Sequence, residues 1–95
     1  GYVSALIDLA PADEPRIEAA VTGLFDEAAR DKAAFHERSA RSLERIGQKL
    51  RAWNKDGKHA AVLKRLETRL TGTCAKVPKD DGQRAVCEGL LSARG

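Results

Sequence analysis

The chain contains no methionine, only three prolines and four aromatic residues, and each scarcity narrows what it can be. Without an initiator methionine, the 95 residues read as a processed product or a piece excised from something longer. The apolar stretch at residues 2–10 is far too short to span a bilayer, and no signal peptide is visible. Tyr2, Phe25, Phe35 and Trp53 are too few to fill a core, so leucine, isoleucine, valine and alanine must build it. Nowhere do β-branched residues alternate with polar ones, which argues against strands. The low proline count and the wealth of Ala, Arg, Glu and Leu favour helix throughout.

Length bounds the rest. A chain of 95 residues makes one domain, and burial of about 60–65% of its unfolded surface leaves a thin stability margin. Cys74 and Cys87 are the whole cysteine inventory. An even count in so small a domain points to one disulfide and an oxidising compartment. That places the protein in the periplasm or outside the cell, either free or as the soluble part of a membrane-anchored protein. The competing reading is a pair of buried thiols in a cytosolic protein.

Periodicity predicts a small all-α bundle of three to four helices. Val3, Leu6, Ile7 and Ala10 keep helical spacing over 2–10, and Pro11 stops the run. Ala12-Asp13-Glu14-Pro15 is a helix-start signal, with acids at the positive end and proline in the first turn. A periodic stretch then runs over 15–53, with Ile17, Val21, Leu24, Ala28 and Phe35 in its first half and Leu43, Ile46, Leu50 and Trp53 in its second. Between the halves, residues 36–42 are polar all round. Either one helix of about 58 Å shifts its seam there, or the helix bends or breaks near 38–42; the length favours the break.

Residues 54–57 form a turn, with Asn54 expected in the left-handed conformation and Asp56 as the next N-cap. A helix over 57–72 follows, with His59, Leu63, Leu66 and Leu70 as its seam, and the short turn predicts that it packs back along 39–53. Asp80 and Gln83 have capping-box spacing and open a last helix over 81–93, which a Cys74–Cys87 bridge would tie down.

Charge is the most uneven property. Net charge is only +3, yet residues 1–35 hold three bases against seven acids, while residues 36–79 hold twelve bases against four acids. Arg38, Arg41, Arg45 and Lys49 recur at helical spacing and make one stripe, with Trp53 at its end. Such a stripe suits an acidic protein surface or an anionic membrane. Nucleic acid is less favoured, because only Trp53 offers a stacking aromatic and no recognition motif is present. A solvated face, partly neutralised by the acidic N-terminal segment, is the bland alternative.

No catalytic constellation stands out. Serines Ser39 and Ser42 and threonine Thr73 have no histidine placed to activate them, and the glycines form no phosphate loop. One metal-site geometry can be written, with His36, Cys74, Cys87 and Glu37, but no paired ligand motif supports it, and a disulfide uses the sulfurs better. No cofactor is expected. The reading that remains is a non-enzymatic helical module that binds another protein: an adaptor, inhibitor, immunity-type protein or extracytoplasmic sensor segment. The alternative is a cytosolic nucleic-acid-binding domain that uses the basic 38–69 segment. The seam from Ile17 to Phe35 is longer than the helices expected to cover it, which predicts pairing with a second copy.

Overall fold

The computed structural model describes residues 1–79 and 82–92 and places five α-helices among them, one more than the upper sequence expectation. They are α1 (Tyr2–Leu9), α2 (Glu14–Arg30), α3 (Glu37–Trp53), α4 (Ala60–Cys74) and α5 (Gly82–Gly89). The extra element comes from the break in the 15–53 stretch. It falls at residues 31–36 rather than 38–42, which are helical.

The position of the break has a tertiary cause. Ala34 and Phe35 are pulled into the core, at 4% and 3% exposure. Turning the chain frees backbone groups, and the Gln83 side chain takes up two of them. Its Oε1 accepts the Phe35 N–H at 3.0 Å, and its Nε2 donates to the Lys32 carbonyl at 3.1 Å. Asp31 supplies a local clamp by accepting the Ala33 N–H at 2.9 Å. Glu37 then opens α3 with φ +48°, a left-handed backbone that redirects the chain. Asp80, the other half of the expected capping box, lies outside the described residues.

The other ends follow local chemistry more closely. Asp13 caps α2 through the Arg16 N–H, with Pro15 in the first turn, as the sequence signals. At the 54–59 turn the roles differ from expectation. Gly57 takes the left-handed conformation (φ +79°), whereas Asn54 has φ −98° and accepts the His59 N–H through its side chain at 2.7 Å. His59, not Asp56, precedes α4, which therefore starts at Ala60.

The helices close into a ring around one aliphatic core. The close backbone pairs are α2 with α4, α1 with α3, α4 with α5, and α1 with α2. Partner numbers rise together along α2 and α4 (Glu14 with His59, Glu18 with Arg65, Asp26 with Arg69), so these two run parallel. The expected packing of residues 58–72 along 39–53 is thereby corrected. The short turn reverses direction, but α4 settles on α2, where its arginines find acids. The ring closes at Gly47 of α3, which is buried against the Leu90 carbonyl beyond α5.

Ile17, Val21, Phe25 and Ala28 of α2 are buried together with Leu50, Leu66 and Cys87. Phe25, not Leu24, belongs to this inner seam, and Leu24 is half-buried. Most of the seam from which a second copy was expected is thus covered by the chain's own α1 and α4. Cys74 and Cys87 form the disulfide, with Cα atoms 5.6 Å apart, and it ties α5 to the end of α4. Closing so short a loop stabilises by about 3 kcal/mol in the chain-entropy account. The extents are 38 × 22 × 18 Å and the radius of gyration is 12.6 Å, as about 12.4 Å predicts for a compact chain of this length. An unbroken helix over 15–53 could not fit. No helix among the described residues is long and apolar enough to cross a membrane.

Candidate functional site

The outward face of α3 is set by its inward one. Ala40, Leu43, Gly47 and Leu50 turn to the core. At 3.6 residues per turn, Arg38, Arg41 and Arg45 project from the opposite side within a sector of about 60°. All three are exposed, and none has a hydrogen-bond or ion-pair partner among the described residues. The acid of this stretch, Glu44, lies off the sector and lines a recess with Ala85 and Val86 of α5.

Lys49 and Trp53, expected on the same surface, are occupied internally. The Lys49 ammonium sits 2.7 Å from the Asp8 carboxylate on α1. The Trp53 indole N–H donates to the Pro11 carbonyl at 2.8 Å, and its ring stacks on His59 with centroids 3.7 Å apart. His59 Nδ1 in turn lies 2.5 Å from Glu14 Oε2. Pro11, Trp53, His59 and Glu14 thus lock the α1–α2 turn to the α3–α4 turn, and Trp53 serves the fold before it can serve a partner.

The acidic N-terminal segment does neutralise the basic middle, but mainly along α4. Arg65 grips Glu18 through two hydrogen bonds of 2.8 Å, and Arg69 reaches Asp26 at 3.0 Å. The Arg65 hydrogen bonds hold the Glu18 carboxyl below its ordinary range, against a smaller upward push from burial. Arg51 is spent on the Leu90 carbonyl. The arginines of the α3 sector are left as a concentrated positive surface.

Two recesses are larger than a surface dimple. One of about 500 Å³ lies beneath the 31–36 link, lined by Arg30, Lys32, Phe35, Lys76 and Val77. Another of about 390 Å³ sits beside the disulfide, lined by Glu67, Thr71, Arg84 and Leu91. No histidine among the described residues lines either one. His36 stands on the surface with Glu37 at 3.9 Å, and the sulfurs of Cys74 and Cys87 are joined to each other. No group of three or more metal-ligating side chains occurs among the described residues.

Sequence reasoning missed three features. Gly47 carried a readable signal, a glycine at seam spacing between Leu43 and Leu50, which often marks a close backbone approach. Gln83 as a clamp on the 31–36 link had none, because its partners lie about fifty residues away. The partial exposure of Leu24 beside Ile46 could not be read without knowing which helices pack against each other. No protein-family model, curated protein or solved structure matches this chain.

Proposed function

We propose that the protein is a non-enzymatic binding module that meets an acidic protein surface through Arg38, Arg41 and Arg45. One observation carries this reading: these three arginines are exposed on one helix face with no partner among the described residues, while Lys49, Arg65 and Arg69 are held by acids of α1 and α2. Side chains with no internal partner are free to pair with another molecule. Arginine is also the residue best shaped to grip carboxylates in pairs. The disulfide agrees with an oxidising compartment, so the periplasm or the extracellular space is the setting we favour.

The test is a binding isotherm against a polyglutamate peptide in a series of salt concentrations. Affinity should fall as salt rises, because exposed charges are screened beyond about 8 Å at physiological ionic strength. The double variant Arg41→Glu/Arg45→Glu should bind about tenfold more weakly, as the loss of two exposed pairs implies. Its melting should change little, since such surface substitutions stay within about 0.5 kcal/mol each. Wild-type affinity in the double variant would refute the reading. Salt-dependent binding of duplex DNA in place of polyglutamate would move the assignment to nucleic acid.

A further inference from the structure

α2 and α4 lie side by side as a ladder of opposite charges that ends on a rung of like ones. Glu14 meets His59, Glu18 meets Arg65 and Asp26 meets Arg69, in each case an acid of α2 against a base on or just before α4. One turn past Asp26, α2 presents Arg30 where another acid would continue the series. Lys76 stands just beyond α4, and Lys32 follows Arg30 on the 31–36 link. All three of these side chains are exposed, and none has a partner among the described residues.

The three bases line the recess of about 500 Å³ beneath the link. Small-molecule sites usually lie between about 300 and 1,000 Å³, so this volume suits one. The floor is apolar: Ala28 and Phe35 are buried, and Val77 is half-buried. Asp31 is the one acid among the described lining residues, and its Oδ1 is already taken by the Ala33 N–H. The dipoles of α2 and α4 favour a base at each of these C-terminal ends. They give no reason for a third base, or for all three to gather round an apolar hollow with their mutual repulsion unanswered. We propose that this recess binds a small organic anion, a carboxylate carried on a compact apolar body. The carboxylate lies at the rim among Arg30, Lys32 and Lys76, and the body covers Phe35 and Val77. This site is separate from the α3 arginines and stands or falls without them.

The probe is naphthoate, titrated into isotope-labelled protein and followed by amide resonances. Naphthylmethylammonium, the same body with the opposite charge, is one control, and acetate, the same head without the body, is the other. Saturable shifts are expected at Phe35, Lys76 and Val77, with naphthoate bound about tenfold more tightly than either control. Arg30→Gln/Lys76→Gln should weaken naphthoate by about tenfold. Arg41→Gln/Arg45→Gln removes the same net charge from α3 and should leave it unchanged. Both are surface changes, so circular dichroism and melting should stay close to wild type.

Equal affinity for the ammonium would reduce the recess to a greasy hollow, and equal affinity for acetate would reduce it to scattered surface charge. Either result overturns the inference. So does unchanged affinity in Arg30→Gln/Lys76→Gln, or an equal loss in the α3 variant. Binding that emerges only in Asp80→Asn/Asp81→Asn would mean that the chain's own acids answer these bases, and the inference would fall.

Discussion

At the scale of single residues, Gly47 is the position with the least room to change. A Cβ there would lie 2.1 Å from the Leu90 carbonyl oxygen, so Gly47→Ala must push the end of α5 away from α3. Alanine gains about 1 kcal/mol of helix propensity, but overpacking costs about 1–3 kcal/mol, and the backbone atom on the far side cannot yield by rotating. Urea unfolding should show a net loss of stability for Gly47→Ala, whereas Gly72→Ala, in open space on α4, should gain. Equal behaviour of the two would mean that α5 does not close on α3 as described. Glu18 gives a second residue-scale expectation. Its folded carboxyl is depressed below the ordinary 4.5 by the Arg65 hydrogen bonds. Its contribution is therefore present above that value and lost as pH falls through the depressed folded value. Melting temperature against pH should fall less steeply on the acid side in Glu18→Gln than in wild type. These residues divide by legibility: Gly47 could have been suspected from its spacing, but the Glu18–Arg65 pair required knowing which helices are neighbours.

At the scale of elements, the helices were legible and their junctions were not. Apolar spacing found α1 and α4 to within a few residues, and Asp13 with Pro15 marked the start of α2 because capping chemistry is local. The link at 31–36 has no such mark. Lys32, Ala33 and Ala34 are acceptable helix residues, and the turn exists because Phe35 gains burial and Gln83 satisfies the exposed backbone. That is tertiary structure overriding local preference. The expectation is specific: Gln83→Ala leaves the Phe35 N–H and the Lys32 carbonyl without that partner and destabilises by about 1–3 kcal/mol. Amide exchange should accelerate at Phe35 more than at Leu50, which sits inside a helix. Uniform exchange at both sites would show that the link is held by something other than Gln83.

At the scale of the whole molecule, the charge asymmetry was legible as a pattern, but not which of its bases the fold would neutralise. Residues 36–79 hold twelve bases, of which Arg38, Arg41, Arg45 and Lys49 were expected to make one stripe, and the fold divides them. Arg65 and Arg69 of α4 turn to the acids of α2, Lys49 turns to Asp8, and Arg38, Arg41 and Arg45 of α3 remain. Sequence could not make that division, because a short turn fixes the direction of the next helix and not its neighbour. Trp53 is the companion case, a residue expected to be an exposed anchor that the fold spends on Pro11 and His59. The central claim is that what the fold leaves unpaired on α3 is what the protein uses. A titration of isotope-labelled protein with polyglutamate, followed by amide and arginine side-chain resonances, tests it most directly. Saturable, salt-sensitive shifts centred on Arg38, Arg41 and Arg45 are expected, with Arg65 and Arg69 unmoved. Shifts spread over Lys64, Lys76 and the α4 arginines, or no saturable shifts on α3, would contradict it.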